Sequence, residues 1–101
     1  MVTAIVLIQA AVGSVPEVAE ALLGVPGVTE VYSVAGEYDL VALVRVREYE
    51  QMAQVVPGAL GRIAGVQRTR TLMAFRAYSR HDLERLWSVG LDEEAARGEE
   101  R

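Results

Sequence analysis

Two short stretches hold the side chains best suited to chemistry. One is Gly36-Glu37-Tyr38-Asp39, a polar knot between two apolar runs; the other is Arg68-Thr69-Arg70-Thr71. Gly36 opens backbone conformations closed to other residues and lets a ligand come close. Amides beside such a glycine can face an anion as a small nest. The Asp39 carboxylate suits an ammonium group. Alternation along a strand puts the Thr69 and Thr71 hydroxyls on one face and Arg68 and Arg70 on the other. Together these are the parts needed to grip an α-amino acid: a carboxylate for the amine, amides and hydroxyls for the carboxylate. From spacing alone the plainer reading comes first. In it the knot is a hairpin turn with Asp39 bonded to its own backbone, and the threonines are ordinary strand residues.

Catalysis is poorly served. His81 is the only histidine and stands beside Asp82 at an expected helix start, which suits a surface or capping residue. There is no histidine cluster with metal spacing, no HExxH, no phosphate-binding glycine loop and no GxGxxG. Glu37 and Asp39 are paired carboxylates, but a hairpin tip rarely supplies the burial that splits their acidities. The chain has no cysteine, so thiolate chemistry and disulfides are excluded. No cofactor is expected.

The elements that must position these residues follow from periodicity. The chain has 101 residues, enough for one modest core. Val2–Gln9 reads as a strand. Ser14-Val-Pro-Glu17 fits a capping box opening a helix over 15–23, and Gly24-Val-Pro-Gly27 ends it. Val28–Ala35 and Tyr38–Val46 read as strands two and three. Met52, Val55, Val56, Ala59, Leu60 and Ile63 keep helical spacing over 49–64, where Pro57-Gly58 should kink the helix or split it. Val66–Tyr78 reads as a fourth strand.

Ala21-Leu22…Gly27-Val28 recurs as Ala59-Leu60…Gly65-Val66, an offset of 38 residues. Two βαβ copies predict an α+β, ferredoxin-like βαββαβ fold. Its four-stranded antiparallel sheet carries helices on one face. The first and third strands are the most continuously apolar and should lie centrally. Both their faces are apolar, although two helices can cover only one. Hydrophobic residues make up 51% of the chain, a little high for its size. The second face is therefore expected to pack on another sheet, most simply in a face-to-face dimer; cover by the tail is the alternative.

Arg68, Arg70 and Arg76 alternate, but with a net charge of −4 and no interleaved aromatics they suit a solvated or subunit-contacting face better than a nucleic-acid surface. The expected division is a domain over 1–78 and a tail over 79–101. In that tail Leu83, Leu86 and Trp87 stand at helical spacing, ahead of an acidic segment from Asp92. With no leader pattern and no membrane-length apolar run, the expected location is the cytoplasm.

VYSVAGEYDLVALVRV and LGRIAGVQRTRTLMAF, with its I-x-G-V-x-x-T-x-T pattern, resemble the RAM domain, the effector-binding domain of Lrp/AsnC (feast/famine) transcription regulators. The resemblance spans about residues 3–77. It implies subunits paired through their sheets, with dimers assembling into octamers or decamers. It also implies amino-acid effectors bound between neighbouring dimers. Carried over by position, the site would be Gly36, Glu37, Tyr38, Asp39, Thr69, Thr71 and Met73. Asp39 would take the amino group, and Met73 with a partner subunit would set side-chain selectivity. Full-length family members carry a helix-turn-helix domain ahead of this one, whereas this sequence starts at the first strand. It therefore resembles stand-alone RAM proteins. The implied role is to sense an amino acid and co-assemble with a full-length regulator, without binding DNA itself.

Two other classes compete: a small dimeric α+β barrel enzyme, and an assembly adaptor with no ligand. The enzyme class usually places a polar residue between sheet and helices, where this sequence is apolar.

Overall fold

The computed structural model describes residues 1–80; the expected helix near Leu83–Trp87 and the acidic segment lie outside them. The element order is β1 (Val2–Ala10), α1 (Val15–Leu23), β2 (Val28–Ser33), β3 (Leu40–Val46), α2 (Tyr49–Ala53) and β4 (Val66–Ala74). The sheet order is β2-β3-β1-β4, with β1 and β3 central, and every pairing is antiparallel. This is the ferredoxin-like arrangement that the repeat predicts. β3 starts two residues later than its sequence pattern suggested, and β4 ends at Ala74 rather than Tyr78. Beyond Ala74 the chain leaves β1, and Phe75 is fully exposed.

The two faces of the sheet differ. Ala4, Val6, Ile8 and Ala10 of β1 and Leu40, Ala42 and Val44 of β3 are buried beneath the helices, with Val18, Leu22, Met52, Val55 and Leu60 above them. Among the described residues no polar side chain is buried. The opposite face carries Ile5, Leu7, Val41 and Leu43, all half-buried by their neighbours, with exposed Leu72 and Tyr32 at its flanks. No helix of the described residues lies across it.

One local expectation fails. The Ser14 hydroxyl does not cap α1. It donates to the Ala11 carbonyl at 2.8 Å, so it does not accept an amide of the first turn. Helix α1 instead starts from the Ser14 carbonyl, which accepts the Val18 N–H at 3.0 Å, with Pro16 in the first turn as expected. Capping side-chain chemistry appears at α2, where the Gln51 Oε1 accepts the Glu48 and Arg47 amides at 2.8 and 2.9 Å.

Pro57 neither breaks nor simply kinks the second helix. After Ala53 the helix widens into a π-helical stretch over Gln54–Ala59 that contains Pro57, then tightens into a 3-10 turn over Leu60–Arg62. A proline ring clashes with the carbonyl one α-turn back and offers no N–H. The wider turn accommodates it, and the Leu60 amide is shared by the Val55 and Val56 carbonyls.

The repeat is physical as well as textual. Leu22 and Leu60 are both fully buried, and Gly27 and Gly65 both adopt positive φ, 102° and 97°, at the turns into β2 and β4. A β-carbon on Gly27 would lie 3.5 Å from Val55 of the second unit. One on Gly65 would lie 2.7 Å from Val18 of the first.

Candidate functional site

The β2–β3 loop is held to β1 through Asp39. Its amide donates to the Ile8 carbonyl at 2.9 Å, and its carbonyl accepts the Val34 amide at 3.0 Å, closing the hairpin. Its Oδ2 accepts the Ala10 amide at 2.8 Å. Ala10 lies past the end of β3, whose first paired residue, Leu40, faces Ile8. The carboxylate thus supplies the acceptor that β3 does not reach. On its other side β1 bulges: Gln9 pairs with Arg68 but Ala10 pairs with Val66, leaving Gln67 as the extra residue. Asp39 therefore does not bond its own backbone, as a plain turn aspartate would. It clamps a strand 29 residues away, and among the described residues its Oδ1 accepts no hydrogen bond.

The rest of the knot leans toward the open face of the sheet. Gln9 Nε2 donates to the Glu37 carbonyl at 3.3 Å. The Arg68 guanidinium donates to the Tyr38 hydroxyl at 3.4 Å and sits 5.8 Å from its ring centroid, a cation–π distance. Gly36 has φ of 122° with nothing within 4 Å of a built β-carbon, so backbone conformation rather than crowding calls for glycine there.

Thr69, Thr71 and Met73 stand on the opposite, helix-bearing face, in register with buried Ile8, Val6 and Ala4. Both threonines are exposed and Met73 is half-buried, because β4 is an edge strand that the second helix covers incompletely. Thr71 and Met73 form one wall of a cleft of about 510 Å³, with Tyr49, Met52, Val56 and Pro57 opposite. Neither Thr69 nor any residue of the hairpin lines it. Within one subunit the seven residues named from sequence thus form two groups, separated by the thickness of the sheet.

Sequence reasoning missed two participants. Gln9 is the one polar residue in the run Ala4–Ala10, a signal that was available. The Ala10 amide had none, since an unpaired backbone donor leaves no mark on residue type. The arrangement can offer a ligand the Asp39 Oδ1 for a cation, and the Arg68 guanidinium and Gln9 amide for an anion. Among the described residues no group of three or more His, Cys, Asp or Glu side chains could hold a metal. No described helix is long and apolar enough to cross a membrane.

Residues 3–83 match the family described as the Lrp/AsnC ligand binding domain. The chain belongs to that family. Among curated relatives, the HTH-type transcriptional regulator FL11 of Pyrococcus furiosus is 31% identical over 77 residues, 76% of this chain and 50% of that protein. An uncharacterized HTH-type transcriptional regulator of Pyrococcus horikoshii is 44% identical over 59 residues, 58% of this chain and 39% of that protein. The chain thus spans half or less of the length of these relatives. Among solved structures, TTHA0845 from Thermus thermophilus is 50% identical, with a TM-score of 0.74 over 79% of this chain and all of that one. Escherichia coli AsnC, 23% identical with a TM-score of 0.72, shares the fold. Both curated relatives are described as HTH-type transcriptional regulators, and this chain is a Lrp/AsnC ligand-binding domain related to them.

Proposed function

We propose that this Lrp/AsnC domain senses an amino acid as a homo-oligomer, without catalysing a reaction. The observation that carries the reading is the Asp39 carboxylate, one oxygen clamped by Ala10 and the other without a donor among the described residues, on a hairpin that Gln9 and Arg68 also bind through Glu37 and Tyr38. A carboxylate at Asp39 and a guanidinium held against the neighbouring Tyr38 offer the opposite charges that suit the ammonium and carboxylate of a zwitterion. A regulator from Neisseria meningitidis, alike in fold at 16% identity and a TM-score of 0.69, was solved as a complex with L-Met. An amino-acid ligand here agrees with that chemistry.

The site is completed by a second copy. Gly36, Glu37, Tyr38 and Asp39 of one subunit meet Thr69, Thr71 and Met73 of another, since one subunit holds the two groups apart. The open sheet face, apolar through Ile5, Leu7, Val41 and Leu43, is the dimer surface, and dimers assemble to an octamer or decamer. The ligand then biases that assembly and, through it, a full-length Lrp/AsnC regulator in the cytoplasm, with no DNA contact by this domain. Residues 1–78 form the sensing unit.

The test is a thermal-shift screen of the purified chain against the twenty amino acids, with light scattering on each hit. At a hundredfold excess over Kd a native-state ligand adds about 2.7 kcal/mol. A selective upward shift that is absent in Asp39→Asn is the expected result. No shift with any amino acid, from a stable oligomer, refutes the sensing role and leaves an assembly adaptor.

A further inference from the structure

The open face of the sheet is electrically lopsided. Its β2 edge presents Glu30 and Tyr32, joined by the hydrogen bond that the tyrosine hydroxyl donates to Glu30 Oε1 at 2.8 Å. Its β4 edge presents Arg68 and Arg70, in register with uncharged Gln9 and Leu7. Arg68 is engaged with Tyr38, but among the described residues Arg70 has neither a hydrogen bond nor an ion pair. Between the edges the face is apolar, through Ile5, Leu7, Val41 and Leu43. Its remaining charge, Arg45, stands on β3 in register with Thr3, at the end away from the hairpin. A surface with an acidic edge, an apolar centre and a basic edge complements a copy of itself in one orientation.

Resting on the dimer reading above, we propose that the two-fold axis runs along the strands. Strand β2 of each subunit then lies over β4 of its partner, and Glu30 pairs with Arg70 of the partner subunit. Aligned sheets cross at about 30°, so a two-fold in the interface plane runs either nearly along the strands or nearly across them. The strand registers separate the two cases. Tyr32 pairs with Val41, Val41 with Leu7 and Leu7 with Arg70, so Tyr32 and Arg70 stand at one level on opposite edges. An axis along the strands exchanges the edges and keeps the level. It sets Arg70 of the partner subunit over the Tyr32 ring, with Glu30 two residues along, about 7 Å away. The sheets lie about 10 Å apart, a gap that an arginine side chain spans to reach both the carboxylate and the ring face. Arg45 then falls opposite uncharged Thr3 of the partner subunit. An axis across the strands would instead stack β4 on β4 and β2 on β2. The Arg68–Arg70 edges of both subunits would share one flank and the two Glu30 residues the other, and like charges so juxtaposed repel. The orientation along the strands also brings both Asp39 hairpins to the same end of the dimer.

The chain has no lysine, which allows a direct probe. Arg70→Lys keeps the charge and supplies the one side-chain amine that a carbodiimide can join to a touching carboxylate. In the purified full chain the expected product is a covalent dimer in which position 70 is bonded to Glu30. That bond has to join two subunits, because β2 and β4 are the outer strands of one sheet, about 14 Å apart. Arg70→Glu should weaken the dimer about tenfold in sedimentation, and Glu30→Arg/Arg70→Glu should restore it. A sedimenting dimer that gives no 30–70 bond, or that Arg70→Glu tightens, overturns this orientation and leaves the face-to-face dimer standing. A wild-type chain that sediments as a monomer overturns both.

Discussion

The carboxylate of Asp39 accepts the backbone amide of Ala10 at 2.8 Å, tying the β2–β3 loop to the end of β1. One side chain therefore has two jobs with different chemical needs. The clamp needs any oxygen acceptor, whereas holding an ammonium group needs a negative charge.

Substitutions at this position separate the two. Asp39→Ala leaves a half-buried amide without a partner and should cost about 1–2 kcal/mol in denaturant unfolding. Asp39→Asn keeps a carbonyl oxygen and should cost about half of that or less, while abolishing the ligand-induced melting shift. Equal stability losses in the two variants would mean that charge, not acceptance, holds the loop.

The glycines separate conformation from crowding. Gly36→Ala meets open space at φ of 122° and should lose about 1 kcal/mol from backbone strain alone. Gly65→Ala brings a β-carbon to 2.7 Å from Val18 and 3.0 Å from the Ser14 hydroxyl at φ of 97°. Strain and overpacking together should cost about 2–4 kcal/mol. Thermal melts of the two variants under one buffer check the order.

Tyr32 should titrate late. Its hydroxyl donates to Glu30 Oε1 at 2.8 Å, and that bond, with the negative charge of Glu30, holds the phenol above its ordinary value of 10.0 against a smaller opposite pull from Arg45. The raised folded value means that this contribution to stability is fully present below the unfolded pKa and is lost as pH rises through the folded one. Ultraviolet titration at 295 nm should show one late phenolate that moves back toward ordinary tyrosine in Glu30→Gln.

The apolar sheet face can be tested with one charge. Leu43 is half-buried at the centre of that face, in register with Ile5 and Glu30. Leu43→Asp would bury an unpaired carboxylate, opposite Glu30, in a sheet-to-sheet interface but face water in a monomer. Sedimentation should show the wild type as an oligomer and the variant as a monomer with an unchanged far-ultraviolet spectrum.

The fold was largely legible because its determinants are periodic. Alternation set the strands, the offset from Leu22 to Leu60 marked the duplication, and continuous apolarity placed β1 and β3 centrally. Helix α1 lies where Pro16 and Gly24 bound it. Its cap was misread because Ser14 had a nearer acceptor in Ala11, a competition that residue type cannot reveal. The π-helical passage around Pro57 was equally hidden, since proline states what is forbidden and not which remedy is used. At the candidate site the residue types were visible but not their distribution between the two faces. Alternation placed Thr69 apart from Arg68, yet only the structure shows the hairpin joining the Arg68 side.

The crossed packing of Gly27 and Gly65 carries a consequence for how such a chain arose. Each half's hinge is roofed by a valine from the helical region of the other half, Val55 over Gly27 and Val18 over Gly65. A single βαβ segment would leave its hinge uncovered and its sheet without the central β1–β3 pair. An ancestral half-length peptide with this packing would have found those covers only in a twin. The present monomer then reads as an ancient pair joined end to end, and separately expressed halves should regain structure only when mixed.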